Sequence, residues 1–281
     1  MSQTPPVVLT IAGFDPSSGA GVAADIKTIA AHGCYGIAAI TALTVQSTAG
    51  VRQVSAVDPR LLTDTLDELV ADVKVSAVHI GMLGSGEVAS RLARFLEKAK
   101  PPNVVLDPIL KSSSGTSLLD EAGVSVLKEK LLPLANVITP NVHEAALLAG
   151  VPIENVDDMK QAARRLQEMG AHDVVVTGGH LERAIDLLSV KDQYVQIFKS
   201  DLLPSTNTHG TGCAFSTTIA CQLAQERSLS AAVLLAKSYV TAAIANGYPV
   251  GKGEGPVNHM YQMRNHPRVQ GMAKKLASGK G

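Results

Sequence analysis

Short apolar runs alternate with amphipathic stretches along this chain from residue 7 to about residue 246. Brief apolar runs bounded by turn residues read as buried strands, and apolar positions three and four apart read as helices. On that basis strands are expected at 7–12, 37–43, 78–82, 104–107, 136–139 and 173–177, with a short edge strand at 51–57. Helices are expected at 22–32, 58–73, 87–98, 141–148, 157–169, 214–225 and 230–246. Gly33 supplies a C-cap for the first of these. Asp58-Pro59 supplies an N-cap and a first-turn proline for the second, whose Leu62, Leu66, Leu69 and Val70 share one face. Residues 184–190 and 194–199 read as an antiparallel pair. Strands that alternate with helices imply βαβ units, hence an α/β fold with a mainly parallel central sheet and helices on both faces. No linker or composition break divides the pattern, so residues 1–262 are expected to form one domain. Residues 263–281 are expected to be a flexible tail.

Composition narrows the function. Tryptophan is absent and aromatics are 3%, so stacking platforms for nucleic-acid bases are hard to build. The formal net charge of zero argues against nucleic acid or a membrane surface as partner. No apolar stretch approaches a membrane span, and the first residues lack a basic and apolar leader pattern. Cys34, Cys213 and Cys221 form an odd set without CxxC spacing, which speaks against a disulfide framework or a zinc site. A cytoplasmic protein is the expectation.

The chemistry concentrates in Asn207-Thr-His-Gly-Thr-Gly-Cys213, followed by a helical run. Gly210 and Gly212 permit a tight turn whose N–H groups point into one concavity, and the following helix adds its positive dipole end. That suits a phosphate. Cys213 at a helix start is a candidate for a lowered thiol pKa. Ligands in parallel sheets sit beyond the carboxyl ends of the strands. Asp15, Gln46, Met82, Asp107, Asn141 and Glu144 are expected there, each just after or at the end of a strand. Asp107 and Glu144 could hold Mg²⁺ partly through waters. The loop from Gly13 to Gly21 matches neither the P-loop nor the dinucleotide spacing and reads as a strand-to-helix crossing, with Asp25 in the first turns of its helix. His79 reads as structural, and His180 and His209 as loop hydrogen-bonders.

Taken together the segments resemble the hydroxymethylpyrimidine/phosphomethylpyrimidine kinases of thiamine biosynthesis, within the ribokinase-like superfamily. The resemblance runs from about Val8 to Tyr261. It is carried by the 9–28 segment with its Gly-Phe-Asp-Pro-Ser-Ser-Gly-Ala-Gly loop, by the 41–51 segment around Gln46, and by Gly81-Met-Leu83. Leu106-Asp-Pro108, Thr139-Pro-Asn-x-x-Glu144, Gly178-Gly-His180, Asn207–Cys213 and Gly253-x-Gly-Pro-Val-x-His259 complete it. It implies ATP as co-substrate, Mg²⁺, and a small aminopyrimidine or pyridoxal-like substrate. Gly13, Asp25, Gln46 and Met82 would line the pyrimidine pocket. Asn141, Thr177, Gly179 and Asn207 would meet the nucleotide, and Asp107 and Glu144 the metal. Gly210, Thr211, Gly212 and Cys213 would be catalytic, the backbone as anion hole and Cys213 as base. A homodimer is also implied.

Two departures stand out. The family usually has lysine where this chain has Thr177, and its Ala-Lys-Ser-Gly stretch appears here as Ser112-Ser-Ser-Gly115, with the nearest lysine at Lys111. These changes bear most on a second phosphorylation, of the monophosphate. Pyridoxal/pyridoxine kinase is the near alternative, since both substrates are flat heteroaromatics with a hydroxymethyl group. A catalytically weak pyrimidine sensor is the other.

Overall fold

A computed structural model describes residues 4–179 and 184–265. In chain order the elements are β1 (Val7–Phe14), α1 (Gly21–Ala31), β2 (Tyr35–Ser47), β3 (Gly50–Ala56), α2 (Pro59–Asp72), β4 (Ala77–Ile80), α3 (Gly86–Ala99) and β5 (Val104–Leu106). Then come α4 (Glu121–Val126), a π-helical stretch (Leu127–Leu131), α5 (Leu132–Leu134), β6 (Val137–Ile138), α6 (Val142–Ala149) and α7 (Val156–Glu168). β7 (Asp173–Gly178), β8 (Ala184–Val190), β9 (Tyr194–Ser200), α8 (Thr211–Ala224) and α9 (Leu229–Ala245) follow.

One nine-stranded sheet runs β3-β2-β1-β4-β5-β6-β7-β8-β9. The six strands from β2 to β7 are parallel, while β3 and β8 pair antiparallel with their neighbours. Strand alternation feeds two cores. Leu9, Ile11, Val78, Ile80, Val104, Leu106, Val174 and Val176 point to the α2/α3/α6/α7 face. Val8, Ala77, Val105, Val137 and Val175 point to the other face, where they meet Ile29, Ile219, Val233 and Tyr239 from α1, α8 and α9. Chain order reverses direction at β1, between β2 and β4, which is where open α/β sheets form ligand crevices.

Local chemistry places the helices. Asp58 accepts from the Arg60 N–H at 2.8 Å ahead of Pro59. Asn141 and Glu144 form a reciprocal capping box on α6, which Gly150 ends in the left-handed region (φ 67°).

Three expectations need correction. β2 runs on to Ser47 because it pairs with β3 as a long hairpin, so Gln46 lies within a strand rather than after it. The segment 121–134 is helical, capped by Asp120, although Gly123 and Pro133 obscure its period in sequence. α8 starts at Thr211, not 214, because Gly210 is its N-cap (φ 85°). Residues 261–265 form a short 3₁₀ helix, and the remainder of the expected tail lies outside the described residues, as does His180.

Candidate active site

The carboxyl ends of the parallel strands open into one cavity of about 590 Å³. Its walls include Gly13, Gln46, Met82, Asp107, Asn141, Glu144, Thr177, Gly179 and the turn Gly210–Cys213. Twelve of the fourteen site residues expected from sequence thus come together here: the eight named before the turn and the turn's Gly210, Thr211, Gly212 and Cys213.

The turn is locked by its neighbour. A Cβ on Gly210 would overlap the Gly19 carbonyl oxygen, and one on Gly21 (φ 58°) would overlap that of Gly13. The 13–21 and 207–213 loops therefore pack backbone to backbone, which only glycine permits. Thr211 donates its N–H to the Thr208 carbonyl at 3.1 Å, so it does not present that group to a ligand. Gly212 and Cys213, in the first turn of α8, have no intrahelical acceptor for their N–H groups, and these are the amides the turn offers. Asp107 abuts the same helix end: a Cβ on Gly212 would lie 3.7 Å from its Oδ2, and Ser216 Oγ donates to that oxygen at 3.2 Å.

Cys213 is buried, and its thiol accepts from the Gly21 N–H. The lowered thiol pKa expected at a helix start is not found. Burial, reinforced by the Asp25 and Asp107 charges, pushes the thiol well above its usual value and overrides the dipole.

Asp107 and Glu144 are also buried, and burial pushes both carboxyls up, Glu144 further because Asp107 lies near it. The Asn141 N–H, at 3.0 Å, and the Leu110 N–H hold the Glu144 carboxylate in place. Two buried carboxylates that resist joint ionisation are a donor set a cation would complete. Among the described residues no cluster of three or more His, Cys, Asp or Glu side chains forms a metal cage. The pair therefore suits Mg²⁺, which keeps waters and phosphate oxygens as further ligands.

A linkage prediction arises here. Glu144, raised to about 8, binds its proton in the folded chain at pH values where the unfolded chain, near 4.5, has lost it. The folded state then carries more protons, so this group's contribution to stability falls as pH rises between those values. Tm measured without metal should fall from pH 5 to pH 8, less so in Glu144→Gln. Added Mg²⁺ should raise wild-type Tm more at pH 8 than at pH 5. Equal Mg²⁺ shifts at both pH values would contradict the assignment.

Two predicted residues lie elsewhere. Asp25 is fully buried beneath the floor, where it accepts from Thr10 Oγ1 at 2.6 Å and Thr217 Oγ1 at 2.8 Å and pairs with His79 Nδ1 at 3.3 Å. It does not line the cavity. Burial alone would lower His79, but Asp25 and then Asp107 more than offset that and raise it. Asn207 packs against Gly247 and Gly255 and does not line the cavity.

Other wall residues carry no specific role in the sequence reading, Asp15 among them, although its place at the strand ends is as expected. Asp15 accepts from Ser17, Gly19 and Ala20 N–H groups and from His209 Nε2 at 2.8 Å. Although burial would raise its carboxyl, the His209 and Ser17 bonds win and hold it below the usual range. His209 is therefore a wall residue tied to an ionised partner, not merely a loop hydrogen-bonder. Lys237 Nζ bonds Asp186 Oδ2 at 2.8 Å and the Ala184 carbonyl at 2.9 Å, and both side chains line the cavity. As the sole charged residue of α9, Lys237 carried a signal that could have found it. Lys111 and Ser112–Ser114 line the opposite rim, beside the β2–β3 hairpin.

An amide-lined turn at a helix N-terminus, with two buried carboxylates in the same cavity on this sheet, is the site expected of a small-molecule kinase of the ribokinase-like fold. Comparison with known proteins narrows it. Residues 15–258 match the phosphomethylpyrimidine kinase family model. A thiamine biosynthesis bifunctional protein of Geobacter sulfurreducens is 44% identical over 90% of the chain, which spans about half (52%) of that protein's length. The hydroxymethylpyrimidine/phosphomethylpyrimidine kinase of Haemophilus influenzae is 40% identical over 90% of this chain and 96% of its own. Among solved structures, an ADP complex of Bacillus subtilis pyridoxal kinase superposes with a TM-score of 0.86 at 33% identity, covering 93% of this chain and 100% of its own. The chain belongs to the phosphomethylpyrimidine kinase family.

Proposed function

We propose that the protein transfers the γ-phosphoryl group of ATP to the hydroxymethyl oxygen of 4-amino-5-hydroxymethyl-2-methylpyrimidine, and then phosphorylates the resulting monophosphate, in thiamine biosynthesis. One observation carries this reading. A wall with a side-chain amide (Gln46), a thioether (Met82) and a bare backbone (Gly13) faces the same cavity as the Gly212–Cys213 amides. An amide both donates and accepts, as an aminopyrimidine edge requires. The kinase family membership and the Haemophilus relative's name support it.

In the proposed reaction the hydroxymethyl oxygen attacks the γ-phosphorus, the bond to the ADP oxygen breaks, and the hydroxyl proton passes to the Cys213 thiolate. The Gly212 and Cys213 N–H groups take up charge on the transferring oxygens. Mg²⁺ held by Asp107 and Glu144 would neutralise further charge on the phosphates. The pocket wall aligns the hydroxyl, a contribution that reaches about 7–11 kcal/mol in well-oriented systems. Thr177, Gly179 and Asn141 are assigned to the nucleotide side of the cavity.

The pyridoxal kinase likeness favours a second reading, in which a B6 vitamer is the preferred acceptor. Steady-state ADP release with each acceptor separates them. The first reading expects kcat/KM at least tenfold higher for the aminopyrimidine. A tenfold preference for pyridoxal overturns it, and ADP release with neither would mark the protein as a binding module.

A further inference from the structure

Four side chains lining the cavity, Asp15, His209, Gln46 and Thr44, form a hydrogen-bond chain whose donors and acceptors can be assigned by elimination. Asp15 is ionised, held so by four hydrogen-bonded groups, and can only accept. The proton between it and His209 Nε2, 2.8 Å away, therefore sits on Nε2, whichever charge state the ring has. That same Nε2 lies 3.3 Å from the amide atom that the structure places as Gln46 Nε2. A ring N–H that already donates can only meet an acceptor there, so the hydrogen-bond network turns the amide over and makes the Gln46 atom facing it Oε1.

The other end of the amide gives the same answer independently. Thr44 Oγ1 lies 3.0 Å from the Phe14 carbonyl, which can only accept, so the one hydroxyl proton points to Phe14. That hydroxyl accepts at its second contact, the Gln46 amide atom 3.2 Å away that the structure places as Oε1, so the network calls for the amide to be turned over. The atom facing Thr44 is then Nε2. Amide nitrogen and oxygen are distinguished only by such networks, and here both neighbours choose one orientation.

We infer that His209 is a positioning residue that fixes the Gln46 amide with its oxygen on the His209 side and its nitrogen on the Thr44 side, and thereby sets which way an aminopyrimidine lies in the cavity. The inference rests on the proposed pyrimidine kinase reading, in which Gln46 meets the substrate's amine and adjacent ring nitrogen. With Oε1 on the His209 side, the exocyclic amine must lie there and the ring nitrogen toward Thr44. The hydroxymethyl group is bonded to the carbon next to the amine-bearing one, so it lies on the His209 side too. His209 directly precedes the Gly210–Cys213 turn. The opposite amide orientation would turn the ring over and carry the reacting oxygen toward Thr44, away from Cys213. Discrimination and alignment thus share one imidazole.

The test uses the full chain, with the aminopyrimidine and its analogue lacking only the amine as acceptors. His209→Leu should reduce the wild-type preference for the amine-bearing acceptor, as a ratio of kcat/KM values, by about tenfold, the size of one good hydrogen bond. A general loss of the turn would lower both acceptors alike and leave the ratio unmoved. In a Gln46→Ala background the His209 substitution should no longer change the ratio. His209→Gln, whose amide can still donate to Asp15, should restore part of it. Should the leucine variant not fold, NMR on the wild-type protein decides: the Gln46 side-chain NH₂ protons should show NOEs to Thr44 and not to the His209 ring. NOEs to the His209 ring, or a ratio unchanged by His209→Leu, would overturn the inference. If Gln46→Ala itself leaves the ratio at its wild-type value, the failure belongs instead to the placement of the pyrimidine against Gln46.

Discussion

Replacing Cys213 with alanine should lower kcat by roughly 100- to 10,000-fold, the range of a positioned general base, while pyrimidine affinity changes little. The sulfur is buried in the first turn of α8, fixed by the Gly21 N–H, and beside the amides that would receive the phosphoryl group. Substituting it removes the proton acceptor and leaves Gln46, Met82 and Gly13 in place. The thiol's raised pKa adds a pH signature. Because the thiolate is the active form, kcat of the wild-type protein should climb through the alkaline range, and that limb should vanish in Cys213→Ala. Steady-state ADP release, with calorimetric titration of the pyrimidine, checks both parts. A variant within a few-fold of wild type would remove Cys213 from the mechanism.

Replacing Asp25 with alanine should be the most destabilising single change at this end of the sheet, by about 3–5 kcal/mol. The carboxylate neutralises His79 and accepts from hydroxyls on β1 and α8, so its loss strands a buried imidazolium and two hydroxyls. Removing one partner of a buried pair exposes the other's desolvation cost. The pH dependence has a definite sign. His79 is raised above its ordinary 6.5, so the pair's stabilisation is fully present below that value and fades as pH rises through the folded-state value. Denaturation of Asp25→Asn beside wild type should show the largest gap near pH 6 and a smaller one near pH 9. Weakened pyrimidine binding with unchanged stability would restore Asp25 to the pocket wall.

The contrast between Asp25 and Asp107 shows what the chain makes legible. Asp107 ends an apolar strand, and a strand's carboxyl end in a parallel sheet is a predictable place. Asp25 sits on a helix whose rotation about its axis depends on packing against α8, and sequence period does not resolve which polar residue turns inward. The glycine turn was legible because Gly210 and Gly21 adopt backbone angles that few other residues reach. Its electrostatics were not: the dipole at the helix start is local, whereas the burial and the two carboxylates that raise Cys213 come from segments far away in sequence. Lys237 and Asp186 belong to the same category, joined only when α9 packs over β8. The antiparallel edges were read correctly, but the 121–134 helix was missed because Gly123 and Pro133 interrupt its pattern.

The most direct test is a crystal structure with the aminopyrimidine and a non-hydrolysable ATP analogue bound together. The γ-phosphoryl oxygens should lie within hydrogen-bonding distance of the Gly212 and Cys213 N–H groups, with the hydroxymethyl oxygen facing Cys213 Sγ. A triphosphate seated away from that turn, or a hydroxymethyl oxygen directed away from the sulfur, would contradict the account.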